Sequence, residues 1–590
     1  MAHVAALLRR LTPRRLSSGH RGASNVWLER GLISLCALWL VVTVAIPVVD
    51  LIARSVQNAR GEFVGLQNYA AYFSNAGLFA SMSNSLVIAS ASTLISVALG
   101  FIYAFSLTRT CMAVKPVLRA IGLLPLYVPS VAQGIALVYL FGKKGLVTTG
   151  FFGAVPGIDI GLYGPVGIIL GEVAYCFPQA VLILTVALTL ADARLYEASA
   201  SLRASRLRTL LTVTLPGVRY GLISAASVCF ALAITDFGVP KVVGGQYNVL
   251  ATDIYKQVIG QQNLTMGATI SVVLLAPTAM AFLLDRLMQK RQSAVLTASS
   301  APLQPKPSPL RDWLALAICA CIGLGIVSMV ATIAFASLVD VWPYRLTPSL
   351  RHYDFSRVGG GGLGAFWNSL RVAGFTALAG AVAVFGSAYL VEKLKRMAML
   401  RSFIHFASLL PMALPGLVLG LAYIFFFNRA AWQIGDAIVP NPFNALYGTL
   451  GILVICNVIH FYTTGFYTAS AALKQLDAEF EAVSASLSVP FYITFWRVTL
   501  PVCLPALLDI ALYFFVNAMV TVSAVIFLYS PDLKLASVAI VNMDDAGDTA
   551  SAAAMSTLII LASTGARALY EALTQPMRAQ AHAWIARASG

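Results

Sequence analysis

A small set of polar side chains lies inside long apolar stretches of this sequence, where a polar group costs free energy. They are Gln133, Glu172, Asp236, Asn457, His460, Asp509 and Asn517. Such groups often line the path of a solute or ion, but they also form hydrogen bonds between packed helices. Both interpretations stay open for each residue. We take Gln133, Asp236, Asn457, His460 and Asn517 as the candidates for a transport pathway.

An anionic solute would prefer amide donors and helix N-termini to a carboxylate, which favours Gln133 and Asn517 over Glu172. The sequence shows no motif for nucleotide binding, metal binding or paired cysteines. The sequence contains no GxxxxGK[ST] phosphate loop, no HExxH motif and no CxxC pair, and its six histidines are scattered. Asp544, Asp545 and Asp548 form an acidic cluster in a predicted external loop. A solvated loop or a contact with a binding protein is a simpler interpretation of that cluster than a calcium site.

The composition is that of a protein embedded in a membrane. Of the 590 residues, 59% are hydrophobic and only 11% are charged, whereas about a quarter are charged in a typical soluble domain. Apolar runs of helical length recur along the chain, so we predict an all-α polytopic membrane protein. The net charge of +16 comes from basic residues at the ends of these runs. This distribution fits the positive-inside rule and indicates no nucleic-acid partner.

Twelve spans are predicted, six in each half of the chain. They fall at about 31–53, 85–107, 120–141, 163–190, 218–237, 266–284, 314–338, 368–391, 404–427, 447–473, 502–528 and 551–566. The basic N-terminus and the even number of spans place both termini in the cytoplasm. The predicted organisation is a tail over 1–30, a first half over 31–285, a linker over 286–313, a second half over 314–572 and a tail over 573–590.

The two halves repeat each other. Ser199–Pro216 and Ser484–Pro501 lie 285 positions apart and agree at nine of eighteen positions. Asn84-Ser85-Leu86 and Asn368-Ser369-Leu370 lie 284 apart, and Leu124-Pro125 and Leu410-Pro411 lie 286 apart. This agreement predicts a duplicated six-helix unit. Since each half has an even number of spans, the two halves are parallel repeats and both repeated loops face the cytoplasm.

The repeated loop resembles the EAA loop of bacterial ATP-binding-cassette importer permeases. The first copy reads Leu195-Tyr196-Glu197-Ala198-Ser199 and closes with Val213-Thr214-Leu215-Pro216. In that family the loop forms a short coupling helix that docks on the cytoplasmic ATPase, and a proline ends it before the next span. The copies depart from the pattern, because the family's glycine is replaced by Arg203 and Ser488, and Glu197 aligns with Ala482 while Glu481 stands one place earlier.

The chain as a whole resembles the fused permeases of the ferric-iron and 2-aminoethylphosphonate importer group, most closely the 2-aminoethylphosphonate branch. The likeness is carried by Asp236–Pro240, Val243–Asn248, Asn517–Ala524, Phe527–Pro531 and Asn542–Asp548. It implies the type I importer permease fold, a bacterial inner-membrane location, a periplasmic solute-binding protein and two copies of a separate ATPase. That ATPase would carry ATP and magnesium, and this chain would bind no cofactor and perform no chemistry.

The predicted solute is 2-aminoethylphosphonate or a related small molecule. Ferric iron is the alternative within the family, and an ATP-independent transporter of 6+6 helices is the alternative outside it. The resemblance assigns the ATPase-coupling role to residues of both loops, which we expect to contribute unequally. They are Glu197, Ala198, Leu202, Arg203, Leu215 and Pro216 in the first copy, and Glu481, Ala482, Leu487, Ser488, Leu500 and Pro501 in the second.

Overall fold

The structure is a computed structural model that describes residues 18–190, 192–295, 303, 305–357, 361–434, 437–477, 479–487 and 489–588. Eight helices in this part of the chain are long and apolar enough to cross a membrane. They are Val26–Ser55, Ala76–Arg109, Pro165–Thr189, Arg206–Thr235, Leu264–Gln289, Pro309–Leu338, Gly362–Glu392 and Thr549–Gln575.

Four further candidate spans are pairs of helices with a sharp bend between them. The pairs are Lys115–Tyr127 with Ser130–Phe141 (106°), Ala398–Ala413 with Gly416–Phe427 (115°), Leu450–His460 with Tyr462–Gln475 (59°), and Phe491–Val502 with Leu504–Val520 (75°). If each pair counts as one span, the described residues form up to twelve spans. Each predicted span then corresponds to one helix or one bent pair, so the all-helical polytopic fold is confirmed.

The bend in the third span of each half lies at a proline, Pro129 or Pro415. Leu124–Tyr127 and Leu410–Ala413 are short 3-10 segments, and Pro129 and Pro415 then begin the next helices. Proline disfavours a helical conformation in the residue before it, and Val128 and Leu414, which precede Pro129 and Pro415, are extended, so the helix breaks there. Pro125 and Pro411 were predicted to be equivalent positions of the repeat, but bends of this size were not predicted in these spans.

Shorter elements connect the spans. The other helices of at least six residues are Gln67–Ser74, Ala193–Ser201, Gly238–Val243, Leu250–Tyr255, Glu479–Ser486 and Ala536–Asp545. Two antiparallel strand pairs, Val339–Val341 with Arg345–Pro348 and Ala431–Ile434 with Ala437–Pro440, lie in loops that were predicted to be external. The all-α prediction missed these short hairpins, which have too few residues to give a periodic signal.

Equivalent hydrogen bonds in the two halves confirm the duplication. The Asn84 side chain donates to the Asn248 carbonyl at 3.0 Å, and Asn368 donates to the Asp532 carbonyl at 3.2 Å. Both partners in the second pair lie 284 positions after those in the first. The hydroxyls of Ser85 and Ser369 likewise each accept a backbone N–H at 2.8 Å. The second span of each half is thus fixed in the same way to the segment that follows the fifth span.

Small residues allow the spans within the first half to approach closely. A Cβ atom on Gly100 would lie 2.7 Å from the Cβ of Ala180, and one on Gly221 would lie 2.4 Å from the Cβ of Ala187. The fourth span therefore packs tightly against both the second and the fifth. Close approach at small residues is the usual means by which helices associate in lipid, where no hydrophobic effect drives them together.

Helices cross several of the predicted boundaries. Leu264–Val295 continues beyond the predicted end of the first half at residue 285, and Pro309–Leu338 begins inside the predicted linker. Thr549–Ala588 continues through the predicted start of the C-terminal tail at residue 573. Polar residues at a helix end give no hydropathy signal, so the sequence located the apolar core of each span and missed its helical extensions. The domain boundaries themselves stay predictions.

Candidate functional site

The first repeated loop contains one short helix and the beginning of the next span. The helix Ala193–Ser201, here the first loop helix, begins after Asp192, whose carboxylate accepts the Arg194 N–H at 3.0 Å. A turn follows, and Ser205 then caps the helix that becomes the fifth span. Side chains hold the two parts together, because the hydroxyls of Ser199 and Thr209 lie 2.7 Å apart.

The second repeated loop has the same plan. Its helix, Glu479–Ser486, is the second loop helix, and Pro490 precedes the next helical segment. Ser488, which was predicted to take the place of the family's glycine, lies outside the described residues. Within both loops the side chains of Glu197, Ala198 and Ala482 are exposed.

The Leu-Pro pairs at the ends of the two repeats do not terminate the loop helices. Leu215-Pro216 and Leu500-Pro501 instead lie inside the helical segments that enter the fifth and eleventh spans. Each pair directly follows a five-residue π-helical turn, Leu210–Thr214 or Phe495–Thr499. Such a wider turn changes the hydrogen-bond register at the point where proline supplies no N–H. The prediction that Pro216 ends the docking helix was wrong, because that helix ends at Ser201 and Pro216 lies within the next helical segment.

Large apolar side chains project from both loops into solvent. Leu202 is 82% exposed and Leu487, its equivalent 285 positions later, is 69% exposed. Phe480 and Trp496 of the second loop are also exposed. Exposed leucines at the same position of two repeated loops form a pair of matching apolar surfaces, and contiguous exposed apolar surface often marks a contact with another protein.

The backbone of Arg203 explains why glycine suits this position. Arg203 adopts φ = 52°, in the left-handed region that is unfavourable for residues with a Cβ atom. It lies in the turn between the first loop helix and the fifth span, and its N–H bonds to the Ala200 carbonyl at 3.0 Å. The departure from the resembled pattern therefore places local strain in this turn.

We expect Arg203→Gly to make the permease more stable than Arg203→Ala by about 1 kcal/mol, because only the glycine relieves the left-handed strain. Both changes remove the same long side chain, so the alanine variant is the matched control. Thermal unfolding of the two purified variants measures the difference. Equal melting temperatures would contradict the assignment of strain to this turn.

The fourth span of each half carries a fully buried polar side chain at the same repeat position. Glu172 and Asn457 are 285 positions apart and both are 0% exposed. Within the described residues, both carboxylate oxygens of Glu172 and the amide oxygen of Asn457 lack a hydrogen-bond partner. A buried acceptor without a donor costs free energy and calls for a functional or structural explanation.

Asp236 lies beside Glu172, directly after the helix Leu215–Thr235 and two residues before the helix Gly238–Val243. Its carboxylate accepts the Val239 N–H at 2.9 Å, and it is close enough to Glu172 for the two carboxyl groups to interact electrostatically. Two neighbouring carboxyl groups in a buried site repel each other when both are ionised. The second half has no such pair, since its equivalents of Glu172 and Asp236 are Asn457 and Thr521.

Gln133, Asn517 and His460, which are also pathway candidates, contact groups other than Glu172 and Asp236. The Gln133 amide donates to the carbonyls of Pro125 and Val128, both at 3.3 Å, and so satisfies acceptors freed at the bend of the third span. Asn517 donates to the Tyr513 carbonyl in its own helix at 2.8 Å. The ring of His460 packs against Phe461. Of the pathway candidates, Asp236 therefore lies near Glu172, whereas Gln133 stabilises the backbone at the bend of the third span.

The acidic residues predicted to lie in an external loop are divided in the structure: Asp544 and Asp545 end the helix Ala536–Asp545, and Asp548 directly precedes the next helix. Asp545 forms an ion pair with Lys241 at 2.8 Å, and Asp548 accepts the Ser551 N–H at 3.0 Å. Burial and the neighbouring Asp545 raise the pKa of Asp544 to about 6. Among the described residues no group of three or more His, Cys, Asp or Glu side chains is placed to hold a metal ion.

Comparison with known proteins identifies the kind of protein to which these loops and spans belong. Residues 96–294 match the family described as "Binding-protein-dependent transport system inner membrane component". The molybdenum transport system permease protein ModB of Mycobacterium bovis is 30% identical over 196 residues, which are 32% of this chain and 73% of ModB. This chain belongs to that permease family. It is a multi-pass component of the inner membrane and is not itself an ATPase.

Two relatives bear on the fused architecture. The ferric transport system permease protein FbpB of Actinobacillus pleuropneumoniae is 28% identical over 489 residues, which are 81% of this chain and 69% of FbpB. PhnU of Salmonella typhi, named for 2-aminoethylphosphonate transport, is 24% identical over 271 residues, which are 45% of this chain and 91% of PhnU. One whole PhnU thus corresponds to about half of this permease, as the duplication requires.

The prediction of a binding-protein-dependent importer permease is confirmed at the level of the family. A system of this type includes an ATPase and a periplasmic binding protein as partners. The match with FbpB extends over more of this chain than the match with PhnU. The comparisons therefore favour the ferric alternative over the 2-aminoethylphosphonate that was predicted first.

Proposed function

We propose that this permease imports ferric iron, which a periplasmic binding protein delivers to its outer face. Two copies of a cytoplasmic ATPase bind at the two loop helices, and both chain termini lie on that side. ATP-driven closure of the ATPase pair switches the halves between outward-open and inward-open states. The substrate part of this proposal is supported by the similarity to FbpB over most of the chain.

The coupling part is supported by one observation above all. The two loop helices occur at equivalent places in a parallel duplication, and each is followed by an exposed leucine, Leu202 or Leu487. Two equivalent apolar surfaces on one side of the membrane suit two copies of the same partner. An ATP-independent transporter has no use for this arrangement. We assign the docking contacts to these leucines together with Glu197, Ala198 and Ala482, and we retain Asp236 and Asn457 as pathway candidates.

A cavity on the predicted outer face favours an anionic solute and thus keeps 2-aminoethylphosphonate as the second candidate. Its volume is about 480 Å³, and residues of both halves line it. Its ionisable lining residues are Lys143, Lys144, Arg351, His352, Asp340 and Asp548. Asp340 is already paired with Arg351 at 3.5 Å, which leaves the two lysines as the cations available to a solute.

Uptake by vesicles that contain the permease, its ATPase and its binding protein separates these alternatives. We expect uptake of radiolabelled ferric iron to require both ATP and the ATPase, and to be unaffected by excess 2-aminoethylphosphonate. Inhibition by 2-aminoethylphosphonate, together with uptake of that compound, would favour the second candidate. Uptake that continues without the ATPase would overturn the importer mechanism itself.

A further inference from the structure

A basic side chain stands at the cytoplasmic end of the second span in each half. Arg109 ends the helix Ala76–Arg109, and Lys393 directly follows the helix Gly362–Glu392. The two residues lie 284 positions apart, the same offset as the asparagine and serine pairs at the other end of these helices. Both are nearly inaccessible, with Arg109 6% exposed and the Lys393 side chain 9% exposed. Their sequence context does not distinguish them from other basic residues at the ends of apolar runs.

In the first half, Arg109 joins the second span to the fourth span and to the first loop helix. One of its terminal nitrogens donates to the Leu188 carbonyl at 2.7 Å, near the end of the fourth span. The guanidinium carbon lies 4.9 Å from the ring centre of Tyr196, in the first loop helix. The Tyr196 hydroxyl in turn donates to Thr214 at 3.1 Å, at the start of the fifth span.

In the second half, Lys393 makes the corresponding contacts with different chemistry. Its ammonium group donates to the Leu476 carbonyl at 3.4 Å, immediately after the helix Tyr462–Gln475. The same group forms an ion pair with Glu481 of the second loop helix at 3.1 Å. Glu481 lies 285 positions after Tyr196, so the two residues occupy the same place in the repeat.

We propose that Arg109 with Tyr196, and Lys393 with Glu481, are positioning pairs that transmit movement of each loop helix to the second and fourth spans. This inference rests on the proposed function, because it assumes that an ATPase moves the loop helices. A cation on one element that contacts two others joins all three and keeps them together when one is displaced. The first half uses an arginine over an aromatic face, and the second half uses an ion pair; both are attractive and directional.

This assignment gives a reason for the expected inequality of the two acidic loop residues. Glu481 is the equivalent of Tyr196 and faces the body of the permease, where it is paired with Lys393. Glu197 is exposed on the loop surface, and its equivalent is Ala482. A change at Glu481 therefore acts on the connection between loop and spans, whereas a change at Glu197 acts on the surface offered to the ATPase.

Charge exchange in the complete transporter tests the pair in the second half. We expect Lys393→Glu and Glu481→Lys each to lower ferric-iron uptake about tenfold per folded permease while the complex still hydrolyses ATP. The double exchange should recover uptake to within about threefold of the unmodified protein, because residues in direct contact show strong energetic coupling. Recovery of uptake relative to ATP hydrolysis is the deciding measurement, since a purely structural defect would lower both together.

The first half supplies a matched control. Tyr196→Glu places a carboxylate opposite Arg109 and so copies the ion pair of the second half; we expect it to support uptake, whereas Tyr196→Lys should not. Unchanged uptake in both single charge reversals, or a double exchange as defective as the singles, would overturn the positioning role. Failure of the proposed function is distinguishable in the unmodified permease, which would then take up iron without its ATPase or take up 2-aminoethylphosphonate in place of iron.

Discussion

Leu202→Asp combined with Leu487→Asp is expected to separate the permease from its ATPase and to abolish ATP-driven uptake. Each leucine follows a loop helix and is largely exposed, so an ATPase bound there would bury it. Loss of a buried apolar anchor typically costs at least about 2 kcal/mol of binding, and two anchors together about 4 kcal/mol, which is on the order of a thousandfold in affinity. Co-purification and binding measurements with the ATPase would detect such a loss.

Leu350→Asp is the matched control for this pair. Leu350 is 71% exposed, between the two leucines in accessibility, but it lies in a loop that is predicted to face outward. All three positions are on the surface, so the substitutions should change the stability of the permease by less than about 0.5 kcal/mol. Normal ATPase binding by the double loop variant would show that the two leucines are not the docking surface.

Gly238→Ala is expected to prevent formation of a stably folded permease. A Cβ atom at this position would lie 2.2 Å from the Ser130 hydroxyl and 2.5 Å from the Val131 backbone nitrogen. Those residues begin the second helix of the bent third span, and a backbone atom in a packed core cannot move aside cheaply. Forcing an extra carbon into such a site costs about 3 kcal/mol. Recovery of monodisperse protein after detergent extraction and its melting temperature should both fall.

Gly217→Ala provides the comparison, because nothing lies within 4 Å of a Cβ atom placed there. Gly217 is inside the helix Leu215–Thr235, where alanine is favoured over glycine by about 0.5–1 kcal/mol. We expect this variant to be as stable as the unmodified permease or more so. If Gly238→Ala behaved in the same way, the close packing between the bent third span and the helix Gly238–Val243 would be wrong.

The sequence predicted the fold well because apolar length and internal repetition are both local signals. Each predicted span has a counterpart, and the offset of 284 to 286 residues identified partners that make the same hydrogen bonds in both halves. The prolines marked where the third spans break. The bend near Phe461 was not predicted, because no proline lies at that break. The bend near Cys503 lies between Pro501 and Pro505, and it was not predicted because Pro501 was interpreted only as the end of the repeated loop. The first-half counterparts of both spans are unbroken helices.

The candidate site was predicted only in part. The loops and their exposed residues were found by repetition, but the role of Arg109 and Lys393 depends on contacts with carbonyls and side chains more than 75 residues away along the chain. Glu172 was ranked below Gln133 on the assumption of an anionic solute. The structure instead shows Gln133 bonded to the backbone of its own bend and Glu172 beside Asp236. A hydropathy pattern cannot identify contacts between residues that are far apart in the sequence.

The carboxyl pair of Glu172 and Asp236 has a consequence for how a fused permease can evolve. A transporter assembled from two identical subunits carries every feature twice, so a single substitution changes both sides at once. Here one gene encodes both halves, and the carboxyl pair exists on one side while Asn457 and Thr521 stand on the other. A complete transporter thus contains one such pair, whereas a homodimer would contain either two or none. Because the two halves are different stretches of one chain, a mutation can change one side of the transporter and leave the other unchanged.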